Sequence, residues 1–188
     1  VRARAGVARA CVADAEPKVA FGPLALPPAL ARNLKAAGFV HPMPVQAEAI
    51  PLIEKGENVV IHSATGSGKT LAFLVPLLAR AFDSPAEVGG GGHLGAVVVA
   101  PSQELAVQIA AEAARLLDGP EAVGRSSVLL AISTSREAEL EQQDALFSSA
   151  VPPRLLVGTP QRLADLCKQP RARPVLRSVR TVVLDEVD

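Results

Sequence analysis

The spacing of apolar positions changes character near residue 58. Upstream, "LPPALARNLKAAGF" carries apolar residues at helical spacing, with Pro27 and Pro28 at its start and Gly38 at its stop, which predicts a helix over 28–37. A second helix is predicted over Pro44–Glu54, with Val45, Ala49, Leu52 and Ile53 on one face. Downstream, the apolar residues gather into short runs: "NVVIH" (58–62), "AVVVA" (96–100), "SVLLAI" (127–132), "RLLVG" (154–158) and "TVVLD" (181–185). Such runs, most of them rich in Val and Ile, are how strands buried on both faces read. Helical stretches separate them over 69–81, 103–117, 136–147 and 161–168. Strand alternating with helix through five cycles predicts an α/β domain, a parallel sheet with helices on both faces and right-handed crossovers. Ligands of such sheets bind beyond the carboxyl ends of the strands. The Gly-rich stretch 84–95 reads as a surface loop, and there is no internal repeat.

Composition narrows this picture only modestly. The 188 residues, 49% of them apolar, suffice for one substantial core. Nineteen basic and nineteen acidic residues cancel, so no global field draws the chain to nucleic acid or membrane, although a local basic face is compatible with that balance. No apolar run approaches the roughly 20 residues needed to span a bilayer, and no membrane partner is expected. Cys11 and Cys167 are far apart and are expected to be free thiols in a reducing compartment. The first residues, "VRARAGVARACVADAE", carry three Arg and no acidic residue before Asp14. Residues 1–20 therefore read as a leader, either the remnant of a chloroplast or mitochondrial transit peptide or an Ala-rich disordered segment without an address. In the second case the nucleus or cytoplasm is the expected compartment.

Candidate chemistry follows the first apolar run directly. "SATGSGKT" comprises Ser63, Ala64, Thr65, Gly66, Ser67, Gly68, Lys69 and Thr70. Gly66 and Gly68 let the backbone curl so that successive N–H groups point inward, and the helix that follows adds its positive end, making an anion nest. Lys69 can reach the outer phosphates of a nucleotide and the Thr70 hydroxyl can ligate Mg2+. Ser63 departs from the Gly or Ala of the general P-loop pattern, a mild departure for so small a side chain. A P-loop that hydrolyses its nucleotide needs a second acidic element at the end of a buried strand. The last run supplies Asp185, placed to hold magnesium, and Glu186, placed to polarise the attacking water as general base. Alone, these carboxylates read equally well as a solvated acidic loop.

Four stretches, "SATGSGKT", "PSQELA" (101–106), "GTPQRL" (158–163) and "DEVD" (185–188), stand in the order seen in DEAD-box ATP-dependent RNA helicases, which the chain resembles from Phe21 to Asp188. Phe21, Gly38, Phe39, Pro42, Pro44 and Gln46 are similar to that family's Q motif. The resemblance implies a RecA-like P-loop NTPase domain that binds ATP with Mg2+. In it Gln46 would read the adenine edge bidentately, as an amide can, and Phe39 would lie near the base; without that context both are ordinary helix or core residues. It also implies RNA as partner, with Ser102, Gln103, Thr159 and Arg162 as candidate RNA contacts, and a monomer that takes protein cofactors through other regions.

The departures from the family pattern are uneven. The nucleotide side is nearly intact, whereas Ser102 and Gln103 replace Thr and Arg, Gln161 replaces Gly, and "AISTS" (131–135) stands where a Gly-Gly turn is usual. Weakened or redirected RNA contacts are therefore expected, and the rival function is a degenerate ATP-dependent clamp or scaffold without productive unwinding. Residues 21–188 correspond to an incomplete first domain, with the Ser-Ala-Thr segment and the second domain's arginine fingers beyond the sequence in hand. The resemblance then implies that these 188 residues alone neither unwind RNA nor hydrolyse ATP at a useful rate.

Overall fold

In a computed structural model, described for residues 18–22, 24–83, 94–119, 127–149 and 153–186, four of the five Val-rich runs pair into one parallel sheet. They are β3 (Ala96–Val99), β4 (Val128–Ala131), β5 (Leu155–Gly158) and β6 (Thr181–Leu184), in spatial order β4-β5-β3-β6. Val98 stands beside Val157 and Val183, and Val97 beside Leu156 and Val182, so each row of neighbours faces one side of the sheet. Ahead of the sheet lie a short antiparallel hairpin, β1 (Val19–Phe21) and β2 (Leu24–Leu26), and the helices α1 (Pro28–Ala36) and α2 (Pro44–Glu54). The helices α3 (Lys69–Asp83), α4 (Gln103–Asp118), α5 (Arg136–Phe147), α6 (Pro160–Cys167) and α7 (Ala172–Leu176) complete the domain.

Both faces of the sheet are covered. Ala96, Val98, Val128, Leu155 and Val157 join the main core with residues of α1, α3 and α4. Ala131, Leu156, Val97 and Val99 face a smaller core built on Leu146 of α5 and on Leu163 and Leu166 of α6. Residues 71–79 of α3 are buried all round, which is how an apolar helix without a polar stripe must sit. Sequence decides several helix ends: Pro28, Pro44 and Pro160 occupy first-turn positions, where a missing N–H costs nothing, and the Ser102 and Ser135 hydroxyls cap α4 and α5 by accepting from Leu105 N and Ala138 N.

One predicted strand does not form. Residues 57–64, which include "NVVIH", carry no regular secondary structure, and Val60 is 95% exposed. Residues 59–63 nevertheless alternate between half-buried and exposed, a period of two. Beyond β6 the sheet has an open edge, with Val182 and Leu184 about three-fifths exposed at 59% and 61%. Composition makes 58–62 strand-like, but a strand is defined by a partner, and β6 is paired only with β3. Arg80 of α3 ties this region together by donating to the Ile53 carbonyl at 2.6 Å, the Glu54 carbonyl at 3.2 Å and the Thr181 hydroxyl at 3.2 Å. The β1–β2 hairpin and the five-residue α7 were not predicted by the periodicity, being too short to show one. No described helix is long and apolar enough to cross a membrane. Cys167 is a free, exposed thiol. Cys11, most of the leader, most of the Gly-rich loop and Asp188 fall outside the described residues.

Candidate functional site

The loop from Ser63 to Gly68 turns on two glycines with positive φ, Gly66 at 75° and Gly68 at 91°. An added Cβ on Gly66 would meet open space, whereas one on Gly68 would sit 2.4 Å from Gln46 Nε2 and 2.9 Å from the Met43 sulfur. The second glycine is thus required twice, by conformation and by the close approach of α2. Gln46 is 3% exposed, and both ends of its amide are bonded: Nε2 donates to the Gly68 carbonyl at 3.1 Å and Oε1 accepts from Met43 N at 2.9 Å. The residue expected to read adenine is therefore fastened directly to the phosphate loop. Each polar atom of that amide makes one bond to the protein, which leaves one N–H and one lone pair outside these bonds.

Lys69 is likewise turned inward. Its ammonium donates to the Ser63 carbonyl at 2.5 Å and to the Ala64 carbonyl at 3.2 Å, while the Ser63 and Ser67 hydroxyls share a hydrogen bond of 2.7 Å. The loop is closed on its own lysine. Among the described residues, the backbone N–H groups of Gly66, Gly68 and the first turn of α3 donate to no protein acceptor, leaving donors at the positive end of a helix. Those orphan donors fit a phosphate. Thr70, the second residue of α3, is half-buried beside them.

Asp185 follows β6, its N–H still held by the Val99 carbonyl at 3.0 Å, so the strand pairing delivers it to the carboxyl end of the sheet. Among the described residues its carboxylate accepts only from Glu186 N, at 3.1 Å. Glu186 is exposed and adopts φ 51°, the one non-glycine residue with positive φ among those described. Such a backbone costs on the order of 1–3 kcal/mol and persists only where the surroundings impose it. Mg2+ takes oxygen ligands and binds through one or two carboxylates, waters and nucleotide oxygens. Thr70 and Asp185 are chemically suited to hold it. Among the described residues no hydrogen bond joins the phosphate loop to Asp185 or Glu186.

Phe39 lies against the main core, with the Arg115 guanidinium 5.7 Å from its ring centroid. The ring thus packs in the core with a cation–π contact, the role open to it apart from lying near a base. The upstream aromatic Phe21 is buried, and its neighbour Gly22, at φ 57°, presses on Pro42, where a Cβ would come within 2.7 Å of the ring.

The expected RNA contacts divide. Ser102 is spent as the α4 cap, although exposed. Gln103 donates to the Ser133 carbonyl at 3.1 Å, so the two departures in "PSQELA" and "AISTS" hold one another. Gln161 turns along its own helix and donates to the Asp165 carboxylate at 3.3 Å. Hydrogen bonds from Lys168 first and Gln161 second hold the Asp165 carboxyl below the usual range. Thr159 is half-buried at the start of α6, just past Gly158. A Cβ on Gly158 would sit 2.5 Å from the Ala131 carbonyl, which accounts for the glycine. Arg162, expected as an RNA contact, is 3% exposed, and its guanidinium bonds to α5. Nε donates to Gln142 Oε1 at 3.0 Å, Nη2 to the Glu139 carbonyl at 2.7 Å, and Nη1 lies 3.5 Å from the Glu139 carboxylate. A guanidinium so placed fastens α6 to α5.

Comparison with known proteins identifies the family. Residues 43–188 match the family model described as DEAD/DEAH box helicase. The chain is 38% identical over 175 residues to "DEAD-box ATP-dependent RNA helicase 47, mitochondrial" of Arabidopsis thaliana, covering 89% of this chain and 30% of that protein. It is 34% identical over 169 residues to "ATP-dependent rRNA helicase SPB4" of Eremothecium gossypii, covering 87% and 27%. Among solved structures, "DEAD-box helicase Mss116 bound to ssRNA and UDP-BeF" superposes with a TM-score of 0.71 at 27% identity, covering 86% of this chain and 31% of that one. A hypothetical ATP-dependent RNA helicase from Sulfolobus tokodaii gives 0.61 at 26%, covering 83% and 40%. The chain spans under a third of the length of the two curated relatives. With that family model matched over residues 43–188, most of its length, the chain belongs to the DEAD/DEAH box helicase family.

Proposed function

We propose that this chain is the nucleotide-binding lobe of an ATP-dependent RNA helicase, which binds and hydrolyses ATP to unwind or remodel RNA. The observation that carries the reading is the pair of bonds by which Gln46 is fastened to Met43 N and the Gly68 carbonyl. A residue able to read adenine and the loop able to hold phosphates form one mechanical unit, so occupation of either end is felt at the other. Binding would exchange Lys69's two carbonyl partners for phosphate oxygens, while the orphan N–H groups at the start of α3 accept the remaining charge. Thr70 and Asp185 would hold Mg2+, whose role is to neutralise the phosphates. Glu186, exposed beside Asp185, would orient and deprotonate the attacking water.

A clamp without productive turnover is the second reading. It is favoured by the self-satisfied Gln103–Ser133 pair and the buried Arg162, which subtract two charged or polar contacts from the RNA-facing end. RNA-stimulated phosphate release by the purified protein, compared between wild type, Lys69→Ala and Glu186→Gln, separates the two. A helicase loses nucleotide binding with the first and hydrolysis alone with the second; a clamp shows no RNA-stimulated release to lose. The 188 residues by themselves are expected to release phosphate slowly, because the arginines that accelerate phosphoryl transfer about 10³- to 10⁵-fold in related systems have no counterpart in the site described. The Arg-rich leader and the relative named mitochondrial support import into an organelle, testable by locating a leader-bearing reporter.

A further inference from the structure

Between Asp165 and Asp185 the sequence contains no acidic residue and five basic ones, Lys168, Arg171, Arg173, Arg177 and Arg180. A chain of zero net charge has thus concentrated five of its nineteen cations within thirteen positions. All five are exposed. They occupy the end of α6, the short α7 and the approach to β6, where Arg180 N donates to the Gly95 carbonyl at 3.0 Å as the strand begins. This is the amino end of the sheet. The phosphate loop and Asp185 belong to the other end, separated from it by four-residue strands, about 13 Å at the usual rise.

The groups that face these cations are few. Lys168 is bonded to Asp165 at 3.0 Å, and Arg171 reaches the Ser148 hydroxyl at 3.5 Å beside Asp144 of α5. Arg173, Arg177 and Arg180 have no side-chain partner among the described residues. Setting Asp165 and Asp144 against the five cations leaves three unopposed positive charges. Arg173 and Arg177 stand four residues apart, about 5–6 Å along one face of a helical turn, the scale of successive phosphates on a nucleic-acid strand. They line an open depression of about 670 Å³ together with Cys167, Gln169, Pro170 and Leu176. No aromatic ring borders it, so its chemistry is recognition of phosphate rather than stacking on bases.

We infer that this basic face is a second RNA-binding surface, which grips the phosphate backbone of a flanking or duplex arm independently of sequence. The inference rests on the RNA-helicase reading above. The carboxyl end of the sheet has Gln at 103 and 161 and a buried Arg162, so it contributes little charge to RNA affinity, while this pole holds a net excess. RNA long enough to leave the strand ends and pass around α6, about 12 Å long at the usual helical rise, meets the guanidiniums next.

The test compares purified wild-type protein with Arg173→Gln/Arg177→Gln/Arg180→Gln and with the corresponding triple Lys variant. Affinity is measured across a salt series for a short single-stranded RNA and for the same RNA carrying a duplex arm. A thermal midpoint in the wild-type range establishes that each variant is folded. For the armed RNA, the Gln variant is expected to lower the slope of log affinity against log salt by about 2–3, near 0.9 for each phosphate released. The Lys variant keeps the slope, and the short RNA shows no change. In parallel, armed RNA slows maleimide modification of Cys167 in a Cys11→Ser background. An unchanged slope with armed RNA, unprotected Cys167, or an effect seen only with anionic phospholipid vesicles or poly-glutamate overturns the inference and leaves the helicase reading standing. Failure of wild type to bind either RNA overturns both.

Discussion

Replacing Arg162 with Ala separates two roles for the same residue, an RNA contact and an internal fastener. Only Leu146 of the α5 side chains is fully buried, so apolar packing alone holds that helix weakly to the sheet. Polar bonds carry much of the rest: Gln142 Nε2 donates to the Ile132 carbonyl at 3.0 Å, and Arg162 supplies three contacts to Gln142 and Glu139. A hydrogen bond to a charged group contributes about 1.5–3 kcal/mol, and a buried acceptor left unsatisfied costs about 1–3. These terms do not add fully, because the Glu139 side chain is 31% exposed and can recover water. A net loss of about 3 kcal/mol follows, which for a domain of this size lowers the melting midpoint by about 6–12 °C.

The assay is thermal unfolding of Arg162→Ala and Arg162→Lys, with RNA affinity of the folded protein measured across salt. Lysine brings one compact charge where a planar fork bridges a side-chain amide and a backbone carbonyl, so it restores less than half of the lost stability. A buried guanidinium releases no counterion from RNA, so the salt slope stays at the wild-type value. A midpoint unchanged within 2 °C together with a slope reduced by about 0.9, the signature of one lost phosphate contact, would refute the assignment and return Arg162 to the RNA.

Three further perturbations test the nucleotide end. Ser63→Ala removes the 2.7 Å hydroxyl bond to Ser67 that helps keep the loop closed on Lys69. At about 1 kcal/mol for such a bond, ATP affinity by calorimetry should rise about fivefold, and unchanged or weaker binding counts against a self-closed loop. Gly68→Ala drives a Cβ into the Gln46 amide at a positive φ, so ATP affinity should fall more than tenfold even where the midpoint drops by only a few degrees. Retained affinity would show that the Gln46–Gly68 bond is dispensable. Glu186→Asn places a residue tolerant of left-handed backbone at φ 51°, so the midpoint should hold or rise while RNA-stimulated phosphate release is lost; a fall in both would make Glu186 structural.

Where sequence and structure part, the reason is that composition names a residue's chemistry but not its partners. "NVVIH" and "TVVLD" read alike as strands, yet only the second finds a neighbour in β3, and the first runs as an unpaired extension to the phosphate loop with Val60 in solvent. The helices of 44–54 and 136–147 were legible to the residue because Pro44 and Ser135 mark their starts chemically, whereas α7 and the β1–β2 hairpin are shorter than any period that could reveal them. The same distinction governs the site. Gly66, Gly68, Lys69 and Thr70 were readable because a phosphate loop is specified by local backbone freedom and one helix start. Gln46 on Gly68, Gln103 on Ser133 and Arg162 on Glu139 span 22, 30 and 23 residues, distances at which no spacing rule operates. Each of these three bonds commits a side chain that the sequence left free to meet ligand. Of the three, only the Gln46 bond reaches the phosphate loop itself, so a change in that loop is transmitted to α2 through one amide N–H.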